Sequence, residues 1–341
     1  PPDFAHFAIY RARSGFTTVA GMEPLARVTN ARATEYIDAT TQDGVDYFYA
    51  VTAVDNFGNE NKSVTAVGPV QSLANGPTRL RAGMHFIGVP LVPANGDPAG
   101  FFGLKPGALK LARWSAPVSA YIVYSGAGTL PLELGLGYWL KLAAPLDFVP
   151  AGAAAPSGSL SVTLTPGWQQ LGNPYFAAMD LTNATVRSGG VTMDLPGADA
   201  ANVMRQVFWR YDAATNGYTL SAPFLGVGSA EIPAWEGFWA RVEKSCTFTL
   251  PRPGMGVAAT PRPAPVDGWM ARVSASTAHA ADRDNLFGVS DELARMAPLA
   301  SPPALSGGVD LYFVEQGATQ PLAARFAPGG SVEARWQMRL A

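Results

Sequence analysis

The sequence is poor in cysteine and in charge. Its single cysteine, Cys246, excludes an internal disulfide, and charged residues make up only 15% of the 341 residues. The formal net charge is −2 and no long basic block occurs, so the electrostatic basis for binding nucleic acid or an anionic membrane surface is missing. Cys246 lies in the alternating stretch KSCTFTL, which predicts a buried structural thiol on a β-strand rather than a nucleophile.

Long apolar runs and catalytic motifs are also missing. No stretch of eighteen apolar residues free of charge and proline occurs, so we expect no membrane insertion. The histidines His6, His85 and His279 lie far apart and form no paired metal-ligand spacing. Neither GxSxG nor GxxxxGK[ST] is present. We therefore expect a protein that is not an enzyme and has no cofactor, with calcium as the one candidate ion.

Glycine, proline and aromatic residues are plentiful instead. The 36 glycines and 29 prolines predict many turns and few long helices, while a hydrophobic content of 48% supplies ample core. The length suits two to four domains. We predict an all-β fold of tandem β-sandwich and β-repeat modules.

Residues 7–70 consist of short alternating stretches separated by polar turns. The stretch DGVDYFYAVTAVDNFGNE places Tyr47, Tyr49 and Val51 on one strand face, and Gly44 precedes Tyr47 by three residues. TEYIDAT (34–40) is a further strand-length run. In order and spacing this segment resembles the last five strands of a fibronectin type III domain, with its tyrosine corner. The resemblance implies a partial Ig-like sandwich over residues 1–75.

The first two strands of such a domain are not in this sequence. Half a sandwich leaves an uncovered core face and an open sheet edge. Three explanations remain open: the strands belong to upstream chain that is not seen, they are cleaved but retained, or a neighbouring subunit donates them. The chain begins inside the domain without a signal peptide or an initiating Met, so we expect a segment of a longer protein.

The middle of the chain repeats itself, over residues 76–155 and 156–253. LRAGMHFIGVPLVP aligns with LTPGWQQLGNPYFA, and LGLGYWLKL with AWEGFWARV. The second copy is longer mainly through residues 183–205, where we expect a short helix. The pattern resembles paired repeats of large secreted or surface bacterial proteins, which implies an extracellular context and no particular activity. The matched residues are Gly83 with Gly167, Met84 with Trp168, Gly88 with Gly172, Pro90 with Pro174, Trp114 with Trp209, Tyr121 with Tyr218, Gly137 with Gly237, and Trp139 with Trp239.

The paired aromatics of the repeat are the candidate ligand-binding residues. Strand alternation assigns Tyr138 and Phe238 to an apolar face, and Trp139 and Trp239 to the opposite face beside Lys or Arg. For these tryptophans and Trp168 three roles are open: structural packing, an interface between repeats or domains, or a platform for a sugar.

A proline-rich linker, residues 254–267, precedes a C-terminal segment, residues 268–341, that we predict to be a β-sandwich. Within it Asp282, Asp284 and Asn285 lie close together in ADRDNLFGV. Acidic residues at alternate positions predict either a calcium-binding loop or a plain Asx turn.

Two functions fit these features. The first is a non-catalytic extracellular structural or adhesive protein, a filament or surface-layer subunit assembled by strand complementation. Its partners would be other copies of itself or neighbouring surface proteins, with polysaccharide as a further candidate. The second is the non-catalytic, carbohydrate-binding C-terminal tail of a secreted hydrolase or peptidase.

Overall fold

Short strands in antiparallel pairs dominate the computed structural model, and every helix in its described part is short, so the all-β class is confirmed. Two compact units are present, unit 1 (Pro1–Gly76) and unit 2 (Pro77–Ala341). No described helix has the length and apolar character needed to cross a membrane. The predicted linker (254–267), Gly44 and His279 lie outside the described residues. The structure describes residues 3–34, 36, 38, 40–41, 45–71, 78–156, 158–214, 216–225, 227–253, 268–278, 281–295, 299–303, 311–314, 321–331 and 333–340.

Unit 1 is built on one antiparallel sheet in the order β2-β1-β3-β4. Its strands are β1 (Phe4–Ala12), β2 (Ala26–Val28), β3 (Asp46–Asp55) and β4 (Val67–Gln71). One face of the sheet is covered by loop residues such as Val19, which bury Ala8, Tyr10 and Ala50.

The run 34–40 is not a strand in its described residues, contrary to the prediction. The Asp38 carboxylate accepts from the backbone N–H of Thr40 at 2.9 Å. This Asx turn competes with the extended conformation and ends any strand there.

The first repeat contains eight strands and one short α-helix. Asp97 caps this helix, because its side chain accepts from the Gly100 backbone N–H at 3.1 Å. The elements are β5 (Thr78–Leu80), β6 (Gly83–Gly88), β7 (Leu91–Pro93), α1 (Pro98–Phe102), β8 (Lys110–Ser115), β9 (Ala120–Val123), β10 (Gly137–Leu142), β11 (Leu146–Phe148) and β12 (Gly152–Ala154).

The second repeat contains ten strands, and its insertion folds as a hairpin, β16–β17, followed by the predicted short helix, α2. Asp194 caps α2 by accepting from the Gly197 N–H at 2.8 Å. The elements are β13 (Leu160–Leu164), β14 (Gly167–Gly172), β15 (Met179–Asp180), β16 (Thr185–Ser188), β17 (Val191–Met193), α2 (Leu195–Ala200), β18 (Met204–Asp212), β19 (Gly217–Ser221), β20 (Glu231–Ile232), β21 (Gly237–Val242) and β22 (Cys246–Leu250).

Each repeat forms the same four-stranded antiparallel sheet. The strand orders are β6-β10-β8-β9 in the first copy and β14-β21-β18-β19 in the second. Gly137 pairs with Gly88 in one copy, and Gly237 pairs with Gly172 in the other. The internal repeat read from the sequence is therefore a structural repeat.

One alignment within the repeat is wrong by two residues. Trp139 pairs across its ladder with Ala112, whereas Trp239 pairs with Trp209. Trp209 is thus the counterpart of Ala112, and Trp114 is the counterpart of Tyr211, since these two lie opposite Tyr121 and Tyr218. A slip of two residues keeps every side chain on the same sheet face, so the apolar pattern does not reveal it.

The C-terminal segment forms one mixed sheet in the order β23-β24-β27-β26-β28, with β25 also paired to β27. Strands β24 and β27 run parallel. Leu286, Ala324 and Phe326 of this sheet pack against the aromatic residues of the repeats, so the repeats provide its second layer. The elements are β23 (Trp269–Ser276), β24 (Ala281–Val289), α3 (Asp291–Arg295), β25 (Leu299–Ala300), β26 (Leu311–Phe313), β27 (Leu322–Ala327) and β28 (Met338–Leu340).

Candidate functional site

The two repeats meet along a seam formed by four glycines, Gly88, Gly137, Gly172 and Gly237. A Cβ atom on Gly88 would lie 2.5 Å from the Gly172 Cα, and one on Gly237 would lie 2.9 Å from the Ile87 carbonyl oxygen. Both distances are shorter than van der Waals contact. The seam glycines therefore let the backbones of the two repeats touch, as no other residue would.

Backbone hydrogen bonds cross the seam in a reciprocal pattern. The Gly88 N–H donates to the Trp235 carbonyl oxygen, and the Gly172 N–H donates to that of Gly135, both at 3.1 Å. Gly135 and Trp235 occupy equivalent positions and both have positive φ, +80° and +67°. Left-handed backbone is unfavourable for a bulky residue, so the packing around Trp235 must hold it there.

The Trp235 ring supplies that packing. Its centroid lies 5.5 Å from that of Phe148, 6.3 Å from Phe101 and 6.2 Å from Phe176. Phe101 and Phe148 belong to the first repeat, whereas Phe176 belongs to the second. Trp235 is thus an anchor between the repeats that the sequence pattern did not single out.

The predicted ligand-binding residues Trp139, Trp168 and Trp239 come together in one buried aromatic cluster. Their exposed fractions are 3%, 7% and 0%. Phe86 of the first repeat stacks on Trp139 at 4.5 Å and meets Trp239 of the second repeat at 5.7 Å. Trp168 contacts Trp239 edge-on at 6.1 Å.

Contacts from Trp139 and Trp239 cross between the copies. Trp139 packs edge-on against Tyr211 of the second repeat at 4.9 Å. Trp239 packs edge-on against Trp114 of the first repeat at 6.2 Å. Both therefore take part in the packing between repeats. None of the three candidate rings offers an exposed face to a sugar in this arrangement, and ligand binding by them stays a prediction.

The space beside Trp168 also offers no room for a sugar. A cavity of about 20 Å³ there is lined by Trp168, Arg205, Arg241 and Glu243 together with neighbouring apolar side chains. Such a volume holds one water molecule rather than a sugar ring. The cation expected beside Trp239 lies over Trp168 instead, since the Arg241 guanidinium carbon is 5.9 Å from the Trp168 centroid.

The hydrogen bonding of the polar atoms in the aromatic cluster differs between the two repeats. The Trp239 indole N–H donates to the Tyr218 hydroxyl at 3.1 Å. The equivalent atoms of Trp139 and Tyr121 are buried close to each other, and no hydrogen bond of ordinary geometry is made by either within the described part of the chain. Burial raises the pKa of Tyr121 to about 12, while the neighbouring Trp139 acts in the opposite direction.

Cys246 lies on β22 as a free and buried thiol, as predicted from its alternating stretch. Burial raises the pKa of this thiol to about 11. A thiol with a raised pKa carries little thiolate at neutral pH, which suits a core residue better than a nucleophile.

The predicted calcium site does not lie in a loop. Asp282, Asp284 and Asn285 belong to strand β24, so the Asx-turn interpretation of this stretch is wrong. The Asp282 carboxylate accepts from the backbone N–H of Leu311 at 2.8 Å, and Asn285 is buried. Among the described residues no three His, Cys, Asp or Glu side chains are grouped as a metal ion would require.

Unit 1 has a second sheet face, opposite the covered one, which we call the open face and define by Phe7, Ile9, Val28 and Val51; it is partly covered, since Ile9 is only 5% exposed. Val51, in the middle of β3, is 57% exposed, and Tyr36 is 41% exposed. A cavity of about 150 Å³ lies between the open face and the backbone segment that carries Tyr36. It is lined by Phe7, Ile9, Val28, Ala33, Thr34, Tyr36 and Val51.

A polar network lies beyond the apolar part of this face. Arg11 pairs with the Asp38 carboxylate at 2.7 Å, and the Tyr49 hydroxyl donates to the same carboxylate at 2.9 Å. Burial acts to raise the pKa of Asp38, but hydrogen bonds from Thr40, Tyr49 and Arg11 outweigh it and lower this pKa to about 2. Burial, with the bond to Asp38, raises the pKa of Tyr49 to about 12.

Asp38 predicts a pH dependence for unit 1. Its pKa in the folded protein, about 2, lies below its ordinary value of 3.8, so its stabilising contribution is present above about pH 4 and is lost as pH falls towards 2. We expect Asp38→Asn to lower the stability of unit 1 by about 1 kcal/mol at neutral pH, after solvent screening is allowed for. Hydrogen exchange of the β1 amides, followed by mass spectrometry between pH 2 and 7, measures this loss.

The exposed ion pair in unit 2 provides the control. Arg79 and Asp147 are 3.7 Å apart with side chains 70% and 55% exposed, so Asp147→Asn should leave the β1 amides unchanged. Equal protection of β1 in wild type and Asp38→Asn at neutral pH would contradict the assigned role of Asp38.

Comparison of the chain with family models, with curated proteins and with solved structures finds no match.

Proposed function

We propose that this chain is a non-catalytic extracellular structural protein that assembles into filaments, with a strand of one copy packed on the open face of the next. The open face of unit 1 is the observation that carries the proposal. Val51 in the middle of β3 is more than half exposed beside an apolar cavity, and among the described residues no second sheet packs on this face. The fibronectin type III resemblance of this unit agrees with that interpretation.

The edges of the same sheet favour a partner that packs on the face over one that extends the sheet. Edge strand β2 has only three residues. Edge strand β4 contains Pro69 and pairs with β3 through a register irregularity. Short strands, prolines and bulges all discourage further pairing at an edge. The partner must therefore place apolar side chains on the open face.

The chain itself offers such side chains on unit 2. Strand β9 lies at the edge of the first repeat sheet, and Ile122 on it is 46% exposed, whereas Val123, 61% exposed, points to the opposite face of the strand. Val118, just before β9, is 67% exposed. We therefore assign β9 of a second copy as the partner of the open face. Because donor and acceptor are different surfaces, the contact is heterologous, and when it repeats from copy to copy without closing into a ring it generates a filament.

Two lysine substitutions test this assembly. Val51→Lys places a charge on the acceptor face, and Ile122→Lys places one on the donor strand. Each should weaken self-association at least about tenfold, because a desolvated unpaired ammonium costs more than 1.4 kcal/mol. Sedimentation velocity across a concentration series, with electron microscopy of the concentrated sample, measures the loss. An equimolar mixture of the two variants keeps one working contact per pair and should stop at heterodimers.

Val191 provides the matched control. It is 59% exposed on β17, so Val191→Lys adds the same charge at the same exposure without touching either surface. Wild-type chain that stays monomeric at every concentration would overturn the proposal. So would an equal loss of assembly in all three lysine variants.

A further inference from the structure

The outer part of the C-terminal sheet carries an exposed aromatic cluster made of Trp269, Phe287 and Trp336. All eight tryptophans belong to the described residues, and only Trp269, at 50%, is an exposed one. Its ring centroid lies 5.9 Å from that of Phe287 and 6.0 Å from that of Trp336, with interplanar angles of 88° and 76°. Neither of these two neighbouring rings is parallel to Trp269, so neither is stacked flat on its face.

The backbone around Trp269 is shaped by two glycines. Gly268, directly before it, has φ of +101°, and a Cβ there would overlap the Val289 carbonyl oxygen. A Cβ on Gly288 would overlap the carbonyl oxygen of Trp269 itself. Strands β23 and β24 therefore approach more closely around Trp269 than other residues would allow.

Phe287 and Trp336 support the ring from the side. Their centroids are 5.1 Å apart, and Phe287 also contacts Phe313, which is buried at 2%. Polar groups lie nearby in sequence: Arg335, directly before Trp336, pairs with Glu333 at 2.6 Å, and both side chains are largely exposed. An exposed aromatic ring with hydrogen-bonding groups nearby is the combination that a hydroxyl-rich ligand with an apolar face requires.

We propose that Trp269, Phe287 and Trp336 form a binding platform for a neutral β-1,4-linked polysaccharide. Each pyranose ring in such a chain presents axial C–H groups on a flat face, and their partial positive charge complements the electron-rich face of an aromatic ring.

The size of the platform favours a sugar over a protein. Half of a tryptophan side chain exposes on the order of 100 Å², and the partly buried Phe287 and Trp336 bring the apolar area to roughly 300 Å² at most. Each partner in a stable protein complex buries about 800 Å². Two or three sugar rings match the smaller area.

Isothermal titration calorimetry with cellohexaose and chitohexaose, together with pull-down on microcrystalline cellulose and chitin, tests the platform. We expect the wild-type chain to bind at least one hexasaccharide, and Trp269→Ala to weaken that binding about tenfold or more. Trp269→Phe keeps an aromatic face and should retain part of the affinity. Phe57→Ala removes another exposed aromatic ring, 87% exposed in unit 1, and should bind like wild type.

Three results would overturn the proposal. The first is a wild-type chain that binds neither hexasaccharide at millimolar concentration and neither solid polymer. The second is full binding by Trp269→Ala. The third is self-association that Trp269→Ala abolishes, which would identify the cluster as a protein interface. The platform and the filament contact are separate, since Trp269 belongs to neither the open face nor β9.

Discussion

Replacing Gly172 with alanine should lower the free energy of unfolding of unit 2 by about 3 kcal/mol, because it places a methyl group inside the seam between the repeats. The added Cβ would lie 2.5 Å from the Leu136 carbonyl oxygen and would overlap the Cα of Gly88. Both are backbone atoms, so no side chain can rotate away to relieve the contact. For a unit of this size the melting temperature should fall by about 6–12 °C.

Differential scanning calorimetry measures this change, and Gly107→Ala is its control. A Cβ on Gly107 meets no atom within 4 Å, so the same chemical change should shift the melting temperature by no more than a degree or two. Equal melting temperatures for the two variants would show that the repeats are not in backbone contact.

The second large effect is expected for Trp239→Ala. Trp239 is fully buried, and its ring packs against Phe86, Trp114 and Trp168. Removal of the indole leaves a large cavity and deprives the Tyr218 hydroxyl of the hydrogen bond from Nε1. We expect a loss of about 4 kcal/mol in the free energy of unfolding, from urea titrations followed by near-UV circular dichroism.

Two further variants make this result interpretable. Trp239→Phe keeps most of the ring contacts and should lose about half as much stability. Trp269→Ala removes a half-exposed tryptophan from outside the cluster and should lose about 1 kcal/mol or less. A Trp239→Ala protein as stable as Trp269→Ala would mean that the buried aromatic cluster does not hold the repeats together.

The repeat was predicted from sequence because glycine and tryptophan recur in a constant order, and each copy has an equivalent glycine pair across its ladder, Gly88–Gly137 and Gly172–Gly237. The alignment of Trp114 with Trp209 could not be checked in the same way. Strand alternation has a period of two residues, so it cannot distinguish a register from one shifted by two.

The burial of both faces of β10 and β21 could not be predicted from the sequence, for a different reason. Alternation separates Tyr138 from Trp139, but it does not state how many layers cover the strand. The other repeat covers the tryptophan side, and the C-terminal sheet, from residues more than a hundred positions away from Trp139, adds side chains to the same buried cluster.

The positions of the candidate site residues in the fold also depend on distant parts of the chain. Asp282 and Asn285 look like loop residues by composition, yet pairing with β23 and β27 draws their segment into a central strand. Trp269 looked like an ordinary strand residue, and its exposure depends on its place in an edge strand. Neither position can be read from local propensity, because the neighbours that decide it are distant in sequence.

The reciprocal bonds of Gly88 and Gly172 relate the repeats as the subunits of a twofold-symmetric homodimer are related. Here the two halves belong to one polypeptide, so the effective concentration of each half near the other is fixed and high. Dilution therefore cannot separate them. Each half is also free to diverge, as Trp235 opposite Gly135 shows, because a change in one copy is not forced on the other.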